Sequence, residues 1–163
     1  MYIMNRTAFI ILDLQNCFVT EKNKLLPQKI KKHVETQKYD FILFSKFINS
    51  KSSNFVKKLN WNKCMNSPET DIVSDLSEIA LKNYVFEKST YSIFKSKQFV
   101  DFLSQNKISK LFVGGLDLDA CVLASTFEAF DLGFDFEILM NLVGSSAKID
   151  IDNSAKQIIK RNL

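Results

Sequence analysis

Five runs rich in apolar residues punctuate the chain: Ala8–Leu12, Phe41–Phe44, Tyr84–Phe86, Lys110–Gly114 and Asp135–Met140. Their apolar positions are continuous rather than alternating. A strand covered on one face alternates and a strand covered on both does not, so these runs predict buried parallel strands. Helical spacing fills the intervals. Gln28–Gln37 is short and weakly patterned, whereas Thr70–Ala80 sets Ile72, Val73, Leu76, Ile79 and Ala80 on one side behind a Ser67-Pro68 start signal. Lys97–Gln105 carries Phe99, Val100, Phe102 and Leu103, and Ile151–Arg161 closes the chain. Cys121–Leu132 carries Val122, Ala124, Phe127, Ala129 and Phe130, with Gly133 suited to the position just past a helix end. The alternation predicts an α/β fold: one doubly wound, mostly parallel, Rossmann-like sheet of five strands in the order 3-2-1-4-5, with right-handed crossovers and helices on both faces. Residues 1–163 read as one domain. Asn49–Met65 is the longest stretch without clear periodicity, and segments of that kind often cover a site.

Composition narrows the partners. The chain has 163 residues, 46% of them hydrophobic, enough to fill a core. Its net charge is +4, but the lysines are spread out. The densest basic run, Glu21 to Lys32, reads as a solvated loop and helix face, and no aromatic-interleaved basic stripe points to nucleic acid. No apolar stretch reaches the ~18 residues that would span a bilayer. Met1–Arg6 lacks a signal-peptide pattern, because the apolar run behind it is short and ends in Asp13. Neither membrane nor nucleic acid is expected as a partner. Cys17, Cys64 and Cys121 are too widely and irregularly spaced for a disulfide framework or a CxxC site, and three reduced thiols in a cytoplasmic protein is the simplest reading. His33, the single histidine, sits in the Lys-rich segment and is expected at the surface. Without it neither Ser-His-Asp nor Cys-His catalysis can be assembled. No GxGxxG or Walker pattern supports nucleotide binding.

Three ionisable residues fall at strand ends. Asp13 ends the first run, Lys88 follows the third, and Cys121 follows the fourth, where a strand gives way to Gly114-Gly115, a short polar loop and a helix. In a doubly wound sheet these ends share one rim, where ligands bind. A helix N-terminus and a nearby ammonium both favour a thiolate. A carboxylate beside the thiol can take its proton and later return it to a leaving amine. Each residue also has a plain reading: a turn aspartate, a surface lysine, an inert buried cysteine. Their coincidence on one rim favours the chemical one.

These residues carry a family resemblance. Asp13-Leu14-Gln15-Asn16-Cys17-Phe18 resembles the Asp-x-Gln-x-x-Phe motif of the cysteine hydrolase, or isochorismatase-like, superfamily. Lys88-Ser89-Thr90-Tyr91-Ser92-Ile93-Phe94 is similar to its lysine segment after the third strand. Gly115-Leu116-Asp117-Leu118-Asp119-Ala120-Cys121-Val122, followed by Ser125-Thr126 and Ala129, is similar to its nucleophile motif. The likeness spans about residues 7 to 145. It implies Asp13 as general acid/base, Lys88 as thiolate stabiliser and Cys121 as nucleophile. It also implies a cis peptide at Leu116–Asp117 that aims the backbone N–H groups of Asp117 and Cys121 at one oxyanion.

The sequence departs from the family in places. Metal-dependent nicotinamidases of the superfamily place Asp-x-His and a further His after the second strand. Here that region reads Phe44-Ser45-Lys46-Phe47-Ile48-Asn49, so neither a metal nor another cofactor is expected. The segment between the first two strands is short, and the family's sixth strand is expected to be absent; a homo-oligomer is left open. Phe18, Phe47, Trp61, Tyr91 and Leu118 lie in or near rim loops, where they either wall a substrate pocket or pack the core. The leading expectation is a hydrolase that cleaves the C–N bond of a small amide, ureide or carbamoyl compound through a Cys121 thioester. The alternatives are an isochorismatase-type vinyl-ether hydrolase and a degenerate, non-enzymatic binding or redox-responsive member.

Overall fold

In the computed structural model, residues 6–163 are described; Met1–Asn5, read above for a signal pattern, lie outside them. The strands are β1 (Arg6–Leu12), β2 (Phe41–Phe47), β3 (Tyr84–Lys88), β4 (Ile108–Gly115) and β5 (Asp135–Val143). The helices are α1 (Leu26–Thr36), α2 (Asn54–Leu59), α3 (Ser74–Leu81), α4 (Lys97–Gln105), α5 (Leu123–Asp131) and α6 (Ile149–Asn162). All strand pairings are parallel, and the order is β3-β2-β1-β4-β5.

The pattern that predicted buried strands has a direct cause. Along β1, Ala8, Ile10 and Leu12 point into one core with Phe99 and Leu103 of α4, Ala129 of α5, and Ala155 and Ile159 of α6. Phe9 and Ile11 point into the opposite core with Leu26 and Ile30 of α1 and Leu76 and Ala80 of α3. Full burial of each Ile or Phe there contributes about 1.5–3 kcal/mol, so both faces favour the continuous apolar run. β5 lies at the sheet edge and is only partly covered.

Close approach of the two central strands requires Gly115. Its φ is +110°, and a Cβ there would sit 2.1 Å from the Leu12 carbonyl oxygen. Gly133, at φ +78°, follows α5 as expected. α3 starts at Ser74, later than its apolar spacing predicts. The residues before it are held by the β1 rim instead: Asn16 N–H donates to Asp71 O, Cys17 N–H to Glu69 O and Val73 N–H to Leu14 O. These bonds keep 69–73 out of a helix, a case of tertiary pairing overriding local propensity.

Chain direction across the sheet reverses between β1 and β4. Connections leave these neighbours toward opposite edges, which opens a crevice at their carboxyl ends. Asp13 follows β1 and Gly115–Cys121 follow β4, so the crevice receives both.

Candidate active site

Asp13 is fully buried and held in the left-handed region at φ 49°. That conformation is uncommon for a residue with a Cβ, though Asp tolerates it better than most. Ser45 of β2 fixes it from both sides, because the Asp13 N–H donates to Ser45 Oγ at 3.0 Å and Ser45 Oγ donates to Asp13 Oδ1 at 2.5 Å. The second carboxylate oxygen accepts from Lys88 Nζ at 2.7 Å. Lys88, the last residue of β3, donates also to Thr90 O at 2.9 Å and to Cys121 Sγ at 3.4 Å. All three ammonium protons therefore have acceptors, which offsets the cost of burying the charge. Lys88 Nζ thereby bridges the Asp13 carboxylate and the Cys121 sulfur. The three strand-end residues picked out in the sequence are one buried cluster.

The electrostatics of the thiol differ from the expectation. Burial pushes the Cys121 thiol well above its ordinary range, and the Asp13 carboxylate pushes the same way; the pull of Lys88 in the opposite direction does not overcome them. Loss of water also works against the Lys88 ammonium, but Asp13 and the Cys121 sulfur outweigh it, so the lysine is held charged. At rest the lysine is an ammonium and the thiol beside it is neutral. The correction follows from burial, which disfavours any added charge.

Cys121 also does not head an α-helix. Leu118–Val122 form a π-helical turn, and α5 begins only at Leu123. The wide turn closes through Val122 N–H to Asp117 O at 3.1 Å, while Leu118 N–H donates to Gly144 O at 2.8 Å. The Leu116–Asp117 peptide is cis, as the resemblance implied. The Asp117 N–H has no acceptor among the described residues. Its side chain accepts from Ser146 N–H at 2.8 Å and Ser146 Oγ at 2.7 Å, tying the β5–α6 loop to the rim. Burial raises this carboxyl to about 6 in spite of those donors, and Asp119 and Asp13 add to the rise.

A cavity of about 440 Å³ opens over Cys121, of a size suited to a small molecule. Phe18, Phe47, Trp61 and Tyr91, four of the five pocket candidates, line it. Leu118 does not. It is fully buried in the core shared with α4, α5 and α6, because the π-turn directs it away from the cavity. Phe55 and Leu59 of α2 also line the cavity. They were missed because a single helical turn inside the aperiodic 49–65 stretch gives too short a pattern to register. Ser45 was missed too: a polar residue inside a buried strand was the available signal.

Gln15 and Asn49 organise the walls. The Gln15 side-chain amide donates to Phe47 O and Thr70 O, each at 2.8 Å, and accepts from Phe47 N–H at 2.7 Å. Asn49 donates to Trp61 O and Lys63 O, each at 3.0 Å, and accepts from Ser53 Oγ at 2.6 Å. Cys17 and Cys64 form a disulfide with Cα atoms 5.5 Å apart, which corrects the expectation of three reduced thiols. Their separation of 47 residues gave no hint of this, because the β1 rim and the end of the 49–65 stretch meet only in the fold. Cys121 is the free cysteine. His33 is half-buried rather than exposed; it packs edge-on against Phe9 and bonds Tyr39 Oη at 2.7 Å, and neither residue lines the cavity.

The residues do not fit a metal of the nicotinamidase kind. At the end of β2 Phe47 offers only a ring, and two residues on, the Asn49 amide is already committed to the backbone. No group of three or more His, Cys, Asp or Glu side chains suited to a metal occurs among the described residues. No helix among them is long and apolar enough to cross a membrane.

A doubly wound parallel sheet with a buried carboxylate, ammonium and thiol at its switch point defines a class of α/β proteins built around one cysteine. The isochorismatase domain matches residues 7–162, and the chain belongs to that family, within the cysteine hydrolase superfamily. Its fold is similar to that of an isochorismatase-like hydrolase from Alkaliphilus metalliredigens, with a TM-score of 0.83, 15% identity and coverage of 96% of this chain and 91% of that one. An N-carbamoylsarcosine amidase from Thermoplasma acidophilum gives 0.80 at 17% identity, covering 94% and 92%. A pyrazinamidase from Pyrococcus horikoshii, solved in complex with zinc, gives 0.78 at 22% identity, covering 96% and 95%. At these identities the likeness is one of fold. No curated protein matches the chain by sequence.

Proposed function

We propose that the protein is a metal-independent cysteine hydrolase that cleaves the C–N bond of a small amide, ureide or carbamoyl compound through a thioester on Cys121. One observation carries this reading: Lys88 Nζ lies 2.7 Å from Asp13 Oδ2 and 3.4 Å from Cys121 Sγ at the edge of a cavity that Cys121 itself lines. Asp13 takes the thiol proton as sulfur attacks the carbonyl carbon. The proton stays within the cluster, and the Lys88 ammonium, 3.4 Å from the sulfur, faces the forming thiolate. The backbone N–H groups of Asp117 and Cys121 receive the oxyanion. Asp13 then gives its proton to the departing amine, and water, deprotonated by the same carboxylate, releases the acid and restores the thiol.

A neutral resting thiol suits this cycle, because the acid and the nucleophile exchange one proton and no charge need enter the site from solvent. The test is Cys121→Ala assayed for amine release against a panel of small amides. The variant is expected to lose at least about 10⁴-fold in kcat/KM, as nucleophile removal does elsewhere. Unchanged amide turnover would overturn the reading, and cleavage of isochorismate that survives the substitution would assign the vinyl-ether chemistry instead.

A further inference from the structure

We infer that the cavity takes an amide whose acyl group is an uncharged, apolar ring, held by aromatic side chains. The inference rests on the hydrolase reading for its reaction, but its geometry stands on the cavity alone. Phe18, Phe47, Phe55, Trp61 and Tyr91 all face the space over Cys121. They form one connected wall. Phe47 lies 4.9 Å from Phe55, 5.9 Å from Trp61 and 6.0 Å from Phe18 between ring centroids, and Phe55 lies 4.9 Å from Tyr91. Phe18 and Trp61 are parallel within 15°. Aromatic walls of this kind pair best with flat, apolar partners.

The polar groups of the cavity point the same way. Asp117 is committed to Ser146, and a substrate carboxylate beside it would meet like charge whenever it is ionised. The Lys88 ammonium is spent on Asp13, Thr90 and Cys121 and stands 5.1 Å from the centre of the Phe47 ring, so that ring screens it from the far end of the cavity. Lys63 is the other cation in the lining, and it is exposed to water. Arg6 and Arg161, which could grip a carboxylate bidentately, line no part of the cavity. A ring nitrogen placed among Phe18, Phe47, Phe55 and Trp61 would lose its water without a fixed partner, since Thr20, Lys63 and Tyr91 of the lining are exposed to solvent. Such an unpaired polar atom weakens binding by about tenfold or more.

Trp61 is the single tryptophan of the chain, so its fluorescence reports the cavity without any turnover. Binding is measured on the full-length Cys121→Ala protein with benzamide, nicotinamide and succinamate, the last a carboxylated amide. Ammonia release is measured on the wild-type protein with and without EDTA. Benzamide is expected to bind about tenfold tighter than either competitor, and EDTA to leave wild-type turnover unchanged. Phe55→Ala, on the half-exposed helix α2, is expected to weaken benzamide by about tenfold while the variant stays folded at the assay temperature. Nicotinamide or succinamate binding as tightly as benzamide would overturn the inference, as would tighter nicotinamide binding on addition of zinc. If benzamide binds in the expected order but the wild-type protein releases no ammonia, the hydrolase reading falls and the cavity assignment stands. If the wild-type protein hydrolyses succinamate in preference, the reverse holds.

Discussion

Asp13 and Lys88 stabilise each other only as a pair. Both side chains are almost entirely out of solvent, so removing one leaves the other as an uncompensated buried group. Asp13→Asn is expected to cost about 3–5 kcal/mol in urea unfolding, because the buried Lys88 ammonium would lose its countercharge. The double variant Asp13→Asn, Lys88→Met is expected to recover part of that loss. Additive costs would mean that the pair is not coupled. Asp117 makes a separate prediction about pH. Its carboxyl is raised from 3.8 to about 6, so the folded state binds that proton more tightly than the unfolded chain does. Its contribution to stability is full below pH ~4 and is lost as pH rises through about 6. The stability of the wild-type protein relative to Asp117→Asn should therefore fall by up to about 3 kcal/mol between pH 4 and 7. Parallel curves for the two proteins in that range would show that Asp117 does not titrate in this way.

At the level of elements, the cavity wall is a set of loop segments stitched to the sheet. Gln15 joins the end of β1 to the end of β2 and to Thr70, and the Cys17–Cys64 bond joins the same rim to the stretch that carries Phe55 and Trp61. Closing a loop of 47 residues removes conformations mainly from the unfolded chain, worth about 4 kcal/mol in the loop-entropy account. Reduction with a dithiol is expected to lower the stability of the protein by up to that amount. A thiol titration of the unfolded chain should find one reactive cysteine without reductant and three with it. Three thiols in the unreduced protein would remove the cross-link from this account. The same stitching explains where sequence reading stopped short. The apolar spacing from Thr70 onward suited a helix, yet the bonds from Asn16, Cys17 and Gln15 hold that segment against the rim, and no local pattern encodes such distant partners.

Across the whole molecule, the sheet was legible because its central strands are covered on both faces, which forces apolar residues from Ala8 to Leu12 of β1 and from Leu111 to Val113 of β4. Asp13, Lys88 and Cys121 were legible for a related reason: strand ends are where such a sheet stops being apolar, so ionisable residues stand out there. The electrical state of Cys121 was not, since it depends on how deeply the π-turn sinks the sulfur and on the proximity of Asp13. Leu118 lies in the core and Phe55 in the cavity wall for the same kind of reason. Facing is set by turns, and turns carry little periodic signal. The disulfide has one more consequence, for chemical labelling. With Cys17 and Cys64 joined, a thiol-directed electrophile added to the native protein has a single thiol to find, and that thiol is a reluctant acid. General alkylating agents select cysteines by acidity and should be slow here. A reagent shaped to the aromatic wall would gain its rate from residence beside Asp13, and the amount it bound would count competent sites rather than chains.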